Sequence, residues 1–363
     1  MNINLETILK VNKILEHDKL ESSYKLALLK SLILTIKKFD HHITQKENYV
    51  KIPFYFLVEE WFFYYLPFVY LNIPQHKSSS LTLNSPITRL YQEIFSSYQS
   101  SCKKSDWKCV YSLIYKEYYH FNLDTTKLFK ELRKLIIQNP MKYMGSSHYD
   151  FFPKEKITPL KKIEKIDRRV FNNFGSFEIE EEFYKVLKYL GDNCYGLNTI
   201  IFKWEKLLHK VSSFSEFNFI HDILTHNIQE IQRDTNEVRK ALNNKSIYCV
   251  WSGKKLHNFD IDHLLPFSLL FNNDYWNLLP THPSINNKKS DKIPSPALIE
   301  QSSTRIKEYW ELYKEYFPLF EAQRKIALGD FPKENDYITQ LQKKSQFLIH
   351  TLGYDSFELE YAL

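Results

Sequence analysis

The sequence predicts a mainly α-helical protein that contains one small unit of two β-strands and a short helix toward its C-terminal side. The chain of 363 residues is 43% hydrophobic and 16% aromatic but has only seven Gly, which is typical of folded, helix-rich proteins. Apolar residues recur at helical spacing in much of the chain, whereas a period of two stands out near residue 260. These observations favour helical regions on both sides of a small mixed unit.

Residues 1–140 are predicted to form a helical N-terminal domain. Ser22 and Ser23 are suitable caps for the second helix, and Pro53 is suited to the start of the third. Asp124 is a suitable cap for the last helix of this domain, which Pro140 would end. The predicted helices are Leu5–Leu20, Tyr24–Phe39, Pro53–Leu66, Pro86–Tyr98, Trp107–Tyr119 and Asp124–Gln138.

The segment Ile52–Ile73 is apolar enough to raise the question of a transmembrane helix. Glu59 and Glu60 lie near its middle, and Pro67 interrupts it. Each central carboxylate would cost about 3 kcal/mol on membrane-insertion scales. We therefore expect a buried aromatic helix of a soluble domain, and no membrane partner.

Residues 141–240 are predicted to be a helical middle region with a basic segment at residues 154–169. Met141–Phe152 is expected to be a strand or an extended link. Helices are predicted at Glu178–Gly191, Leu197–Val211 and Phe214–Leu242. The basic segment has seven Lys or Arg against three acidic residues.

The basic segment has two interpretations. A run of charge is usually a solvated face, but it can also contact nucleic-acid phosphates. The second interpretation is supported by the charge of residues 241–300, which are nearly neutral with six Lys and five acidic residues. Basic residues elsewhere in the chain would therefore have to bind a polyanion. The candidate nucleic-acid-binding residues are Lys161, Lys162, Arg168 and Arg169.

The small mixed unit is expected at residues 241–300. Phe259, Ile261 and Leu264 are apolar near period two and lie on the face opposite Asp262. A second strand around Asn277–Pro280 can pair with this one. Pro283 then fits the first position of a short helix, predicted at Ser284–Lys292.

Such a unit can bring Asp262 and Asn286 around one small space. Carboxylate and amide oxygens are hard ligands that suit Mg²⁺ or Mn²⁺. His263, beside Asp262 but pointing elsewhere, is a candidate for taking a proton from water. An Asp-His pair alone is common, but here an ordered set of motifs follows it.

The order of these motifs resembles the HNH, or ββα-metal, nuclease module over about 50 residues. The steps D-H-x-x-P, N-L-x-x-T and N-x-x-K occur in the order typical of that family. In this chain they are Asp262-His263 with Pro266, Asn277-Leu278 with Thr281, and Asn286 with Lys289. The segment is most similar to zinc-free variants, including the nuclease module of RNA-guided CRISPR effectors, where a T-x-x-x-x-N-x-x-K-S-D run also occurs.

The resemblance implies metal-dependent hydrolysis of DNA phosphodiester bonds. It implies that His263 is the general base and that Asp262 and Asn286 bind one Mg²⁺ or Mn²⁺ ion. It also implies that Asn277 braces the loop that holds His263, and that Lys289 lies near the phosphate.

One departure from the family concerns zinc. Many HNH proteins have two Cys pairs that bind a structural zinc ion, but here Cys249 is single and the later positions are His282 and Ser284. Four ligands cannot be assembled from this set. We expect no structural zinc and an apolar packing role for Cys249 and Trp251.

The cysteines also bear on the cellular compartment. Cys102, Cys109, Cys194 and Cys249 form no CxxC pair, and the N-terminal segment does not resemble a basic and apolar leader. We therefore expect a reducing, cytoplasmic environment.

Residues 301–363 are expected to be C-terminal helices that pack on the rest. Helices are predicted at Pro296–Phe317 and Lys333–Leu352. Trp310, Tyr313 and Phe317 form a stripe at helical spacing that is typical of packing.

A long helical region before an HNH module resembles bacterial nucleases of restriction or anti-phage systems, with homing and repair nucleases as alternatives. DNA and other defence proteins would then be the partners. The alternative function is a catalytically weak component that binds nucleic acid or a partner through its helical part.

Overall fold

A computed structural model describes residues 5–17, 20–77, 83–103, 106–145, 147–190, 197–211, 219–224, 234–243, 245–270, 273–351 and 353–359. Within these residues the protein is mainly α-helical with short strands, which confirms the predicted fold class. None of their helices combines the length and the apolar character needed to cross a bilayer. The chain divides into two compact units, Met1–Asn227 and Ile228–Leu363, which are described separately.

The first unit is a helical assembly with one small sheet. Its helices are α1 (Leu5–His17), α2 (Tyr24–Phe39), α3 (Phe54–Tyr70), α4 (Ser85–Ser96), α5 (Trp107–Tyr119), α6 (Thr126–Ile136), α7 (Glu181–Leu190) and α8 (Leu197–Val211). Residues 219–224 are also helical. An antiparallel sheet contains β1 (Thr44–Gln45), β2 (Tyr49–Pro53) and β3 (Ser176–Glu180) in that order.

Helix α3 is the centre of the first unit. It is apolar on all sides, and every residue from Phe54 to Val69 is buried. A helix of this kind must be surrounded, and α2, α4, α5 and α6 pack against it. The predicted end at Leu66 was too early, because Pro67 still accepts a helical hydrogen bond from Leu71 and the helix continues to Tyr70.

The two carboxylates within α3 are neutralised by partners from other elements. Glu59 accepts a hydrogen bond of 2.5 Å from the Tyr118 hydroxyl and lies 3.1 Å from Nε of Arg168. Glu60 accepts a hydrogen bond of 2.7 Å from Lys38 Nζ. Burial raises the pKa of Glu59, although Arg168 opposes this shift. These partners offset the cost of burying charge, which explains how so apolar a helix can contain two acidic residues.

Some predictions for residues 141–240 were wrong. No strand lies in the described part of Met141–Phe152, where helical residues are followed by turns. Glu178 belongs to β3, because Phe177 and Ile179 pair with the buried residues of β2, and α7 begins only at Glu181. The predicted helix Leu197–Val211 is confirmed as α8.

The long helix predicted from Phe214 to Leu242 is not continuous. Residues 219–224 are helical, and a separate helix, α9 (Asn236–Leu242), follows Thr235. Part of the predicted helix lies outside the described residues. The domain boundary between residues 227 and 228 falls within it.

Cys102 and Cys109 are joined by a disulfide whose Cα atoms are 5.9 Å apart. The Asp106 side chain accepts a hydrogen bond of 3.0 Å from the Cys109 amide at the start of α5. Reasoning from CxxC spacing missed this pair. Because disulfides are typical of oxidising environments, the cysteines do not support the predicted reducing compartment.

The second unit contains the small mixed unit and the C-terminal helices. Its helices are α9, α10 (Phe267–Leu270), α11 (Pro283–Lys289), α12 (Pro296–Tyr316), α13 (Phe320–Leu328) and α14 (Glu334–Gln346). Its strands are β4 (Ile247–Tyr248), β5 (Lys255–Leu256), β6 (Asp260–His263), β7 (Leu278–Thr281), β8 (Ile293–Pro294) and β9 (Ser356–Phe357). The pairs β4–β5 and β6–β7 are antiparallel, and β8–β9 is parallel.

Helix α12 supports the β6–β7 hairpin through its buried face. Trp310 Nε1 donates a hydrogen bond of 2.9 Å to the Trp276 carbonyl, and the Tyr313 hydroxyl donates one of 2.9 Å to the Leu278 carbonyl. Both side chains and Phe317 are buried, which confirms the packing stripe. Helix α13 was not predicted.

Candidate active site

The hairpin β6–β7 and helix α11 form the predicted strand–strand–helix unit. In the register of the hairpin, Asp262 lies opposite Leu279 and His263 opposite Leu278. His282 caps α11, and its ring accepts a hydrogen bond of 3.2 Å from the Ser284 amide. The helix ends at Lys289 instead of the predicted Lys292, because Ser290 has a left-handed φ of 46°.

Asp262 and Lys289 form a buried ion pair within this unit. Asp262 is 3% exposed and Lys289 is 0% exposed. Lys289 Nζ lies 3.1 Å from Asp262 Oδ2 and donates a hydrogen bond of 2.7 Å to the His263 carbonyl. Lys289 therefore contacts the candidate ligand and the backbone beside it, whereas the resemblance implied a position near the phosphate.

His263 lies at the end of β6 and is 1% exposed. Its Nε2 is 3.2 Å from Asn273 Oδ1, and its ring contacts Phe267 edge to face at 5.2 Å. An amide oxygen only accepts hydrogen bonds, so this contact favours the tautomer of a neutral ring in which Nε2 bears the proton and Nδ1 the lone pair. No sequence pattern indicates Asn273, because it lies in a loop ten residues away.

Asn277 ties the loop after His263 to the second strand. Its Oδ1 accepts a hydrogen bond of 2.8 Å from the Leu265 amide, and its Nδ2 donates one of 2.9 Å to the Leu265 carbonyl. Its own carbonyl accepts a hydrogen bond of 2.7 Å from the Leu264 amide. These are the contacts that the bracing role implied by the resemblance would require.

Asn286 contacts a residue that the sequence reasoning missed. Its Nδ2 donates a hydrogen bond of 3.1 Å to Asp260 Oδ2, and the other carboxylate oxygen of Asp260 lies 3.7 Å from Arg239 Nη2. The available signal was the spacing, since Asp260 is two residues before Asp262 and shares its face of β6. The bond directs Nδ2 to Asp260 and leaves Oδ1 as the atom of Asn286 suited to a cation.

The side-chain oxygens of this unit are of the chemical type that a hard divalent ion prefers. Asp262 and Asn286 offer carboxylate and amide oxygens, and Asp260 adds a second carboxylate next to Asn286. Among the residues that the structure describes, no three His, Cys, Asp or Glu side chains form a group that could hold a metal ion. The fit to a metal ion therefore depends on the amide oxygen of Asn286.

Two separate segments of the chain match known family models, and the candidate site lies in the second. Residues 4–225 match the model of a domain of unknown function, DUF8808, over more than half of the chain. The chain belongs to the DUF8808 family. Residues 249–295 match the family model described as HNH endonuclease, and this segment contains Asp262, His263, Asn277, Asn286 and Lys289. No curated protein and no solved structure matches the chain.

Within the HNH segment of this DUF8808 protein, Cys249 and Trp251 are buried in the core, which confirms their packing role. The Cys249 sulfur accepts hydrogen bonds of 3.5 Å from the amides of Ser252 and His282 and lies 3.4 Å from Thr281 Oγ1. Burial opposes ionisation, but these hydrogen bonds outweigh it and lower the pKa of Cys249. That the segment binds no structural zinc stays a prediction.

The basic segment lies within the DUF8808 region. Lys161, Lys162 and Arg169 are exposed, and Arg169 pairs with Asp167. Arg168 is 3% exposed, because its guanidinium pairs with buried Glu59 and stacks 4.3 Å from the centre of the Tyr119 ring. The prediction that Arg168 contacts phosphate was therefore wrong, whereas the prediction for the other three remains open to test.

Proposed function

We propose that this DUF8808 protein is a metal-dependent HNH endonuclease that hydrolyses phosphodiester bonds in DNA. The observation that supports this most directly is the β6–β7–α11 unit. In this unit Lys289 of the following helix contacts Asp262 and the His263 carbonyl, and Asn286 of the same helix contacts Asp260 of the strand, all within the segment that matches the HNH endonuclease family.

Each side chain has a distinct task in the proposed reaction. One Mg²⁺ or Mn²⁺ ion bound by Asp262 and Asn286 would act as a Lewis acid on the phosphate and stabilise the leaving oxygen. His263 Nδ1 takes a proton from water while the water oxygen forms a bond to phosphorus and the bond from phosphorus to the leaving sugar oxygen breaks. Asn273 holds Nε2, so the lone pair stays on Nδ1.

Two other residues keep this geometry in place. Asn277 fixes the two residues after His263, and Lys289 binds both the Asp262 carboxylate and the His263 carbonyl. Because His263 is 1% exposed, the reacting water has to be one bound within the site and not bulk solvent.

The direct test incubates the purified full chain with plasmid, linear duplex DNA, single-stranded DNA and RNA, each with Mg²⁺, Mn²⁺ or a chelator. We expect DNA cleavage by the parent only with metal. His263→Ala should keep its fold and DNA affinity and cut about 10² times more slowly or worse. A folded variant that cuts at nearly the parent rate would remove His263 from the mechanism.

One observation favours the second candidate, a catalytically weak component that binds nucleic acid or a partner. Asp262 already has a buried cation partner in Lys289, which reduces the charge available to a metal ion. The same incubation separates the candidates, because a component of this kind would cut none of the four substrates with either metal.

We also propose that the nuclease acts in restriction or anti-phage defence, with DNA and other defence proteins as partners. The support is its organisation, a long helical DUF8808 region before the HNH segment. Bacteria that express the parent should give fewer phage plaques than bacteria that express His263→Ala. Equal plaque numbers across a panel of phages would contradict this role.

A further inference from the structure

The second unit exposes two tyrosines at one corner, together with several lysines. We call this surface the tyrosine–lysine face and define it as Tyr248, Tyr316, Lys245, Lys254 and Lys255. Each tyrosine is 46% exposed, which is unusual for a side chain of this size in this protein. In the described part of the chain, the large hydrophobic side chains with such exposure are Leu9, Tyr143, Phe202, Tyr248 and Tyr316.

The β4–β5 hairpin presents one half of this face. Tyr248 pairs across the strands with Lys255, and the neighbouring pair is Ile247 with Leu256. Because Ile247 and Leu256 are buried, the Tyr248 and Lys255 side chains share the outward side of the hairpin.

Helix α12 presents the other half. Lys245 Nζ lies 4.9 Å from the centre of the Tyr316 ring. Tyr309, two helical turns before Tyr316, donates a hydrogen bond of 2.7 Å to the Tyr248 carbonyl and accepts one of 3.0 Å from the Tyr248 amide. These bonds fix the hairpin to α12 and hold both exposed tyrosines at the same corner.

On the side of the β4–β5 hairpin this corner is positively charged, which suits a polyanion. Residues 245–259 include three Lys and no acidic residue. Helix α12 adds exposed Glu308 and Glu315, so net charge alone does not identify the ligand. The distinguishing feature is that two exposed tyrosines, each with a lysine beside it, lie on one surface, and proteins bind the stacked bases and phosphates of single strands with this combination.

The face is connected to the candidate active site through the backbone. The Val250 amide, two residues after Tyr248, donates a hydrogen bond of 3.0 Å to the Pro280 carbonyl of β7. Strand β7 pairs in turn with β6, which includes Asp262 and His263. A nucleic-acid strand bound at the face is therefore bound to the same rigid framework that positions the candidate active site.

We propose that the tyrosine–lysine face binds a single-stranded segment of the nucleic acid that the site cleaves. Bases stack on Tyr248 and Tyr316, and Lys245 and Lys255 contact the phosphates beside them. The identity of the ligand as the substrate rests on the proposed nuclease function, whereas the binding itself does not require catalysis.

The test measures binding by fluorescence anisotropy in a chelator, so that no cleavage occurs. The probes are a labelled single-stranded DNA of about 20 nucleotides and a duplex of the same sequence. The variant Tyr248→Ala/Tyr316→Ala is compared with Tyr143→Ala. That control lies in the first unit, is also 46% exposed, and has Lys142 Nζ 4.9 Å from its ring centre.

The double variant should bind the single strand more weakly by about 25-fold or more, since each of the two lost stacks costs about fivefold or more. Tyr143→Ala should bind like the parent. A second variant, Tyr248→Leu/Tyr316→Leu, keeps apolar bulk for folding and should show the same loss. Thermal unfolding checks that all three variants are folded.

The possible results separate this proposal from the nuclease proposal. A parent that binds the single strand through these tyrosines but cuts no substrate contradicts the nuclease function alone. If the parent cuts DNA and both double variants bind the single strand like the parent, the proposed binding at the tyrosine–lysine face is wrong. Unchanged binding of every nucleic acid by the double variants, or a loss confined to the duplex, also contradicts the proposal.

Discussion

Asn286 donates its amide hydrogen to Asp260 across a distance of 3.1 Å, linking helix α11 to the first residue of β6. This contact decides which end of the Asn286 amide is available to a cation. Asp260 is itself held by Arg239, 3.7 Å from its other oxygen. Asp260 thus acts on the proposed metal site through Asn286.

Asp260→Ala is predicted to lower Mn²⁺ affinity by about tenfold, because the Asn286 amide loses the acceptor that orients it. Asp260→Asn keeps an acceptor oxygen and should stay close to the parent. Isothermal titration without DNA measures this directly. Asp291→Ala, which removes an exposed carboxylate just after α11, is the matched control. Unchanged Mn²⁺ affinity in folded Asp260→Ala would contradict the orienting role.

The buried Asp262–Lys289 pair is predicted to contribute strongly to folding. Asp262→Ala leaves a fully buried ammonium without its carboxylate and should lower the free energy of unfolding by about 3–5 kcal/mol. The double variant Asp262→Ala/Lys289→Met should recover most of this loss, because neither charge then remains. Denaturant unfolding of Asp262→Ala, Lys289→Met and the double variant measures the coupling between the two residues. A double variant whose loss of stability equals the sum of the two single losses would contradict this coupling.

This coupling determines which variant can test metal binding. Asp262→Asn keeps the size of the side chain and one oxygen, so it perturbs folding less than Asp262→Ala. We expect both Asp262→Asn and Asn286→Ala to bind Mn²⁺ more weakly than the parent. Titrations that show parent affinity in both folded variants would remove them as ligands.

Charge reversal of the exposed basic residues is predicted to weaken binding to all DNA sequences alike. Lys161→Glu/Lys162→Glu/Arg169→Glu removes phosphate contacts and should flatten the dependence of affinity on salt. A control triple variant, Lys10→Glu/Lys103→Glu/Lys127→Glu, makes the same change in net charge at other exposed positions of the first unit. Equal affinities of the two triple variants across a salt series would show that residues 161, 162 and 169 form only a solvated face.

Arg168→Glu is expected to behave differently from those three residues. It would place a second carboxylate against buried Glu59, so the protein should lose stability before any effect on DNA can be measured. A folded Arg168→Glu protein with parent stability would show that the Glu59 pair is dispensable.

Lys30 is predicted to make stability depend on pH. It is fully buried, its Nζ donates a hydrogen bond of 2.6 Å to the Leu224 carbonyl, and burial, opposed by the charge of Glu60, lowers its pKa from 10.5 to about 7. Between these values the unfolded chain binds the proton and the folded protein does not, so this residue makes stability rise with pH. Below pH 7 the cost of the buried charge is fully present.

The variant Lys30→Met should therefore raise the unfolding temperature more at pH 6 than at pH 9. Comparing parent and variant at each pH cancels the contributions of groups that do not interact with Lys30; Glu60 and Lys38 are the charged groups that do interact with it. Lys10→Met, at an exposed position, is the control and should change little at either pH. An equal gain at both pH values would show that Lys30 does not titrate in this range.

Local chemistry in the sequence determined several of the helices and the strand–strand–helix order of the candidate site. Tyr24–Phe39 and Trp107–Tyr119 form helices with the predicted ends, because helical spacing and end signals are properties of neighbouring residues. The strand–strand–helix order around Asp262-His263 and Pro283 was equally local, since it depends on alternation and on a proline at the first helical turn.

Only the tertiary structure decided which charged residues are buried and what they contact. Arg168 and Arg169 are adjacent in one basic run, yet one pairs with Glu59 in the core and the other is exposed. Lys289 faces Asp262, and Asp260 faces Asn286, through pairings between separate elements. A charge run shows where cations are concentrated, but burial depends on distant parts of the chain that pack over each side chain.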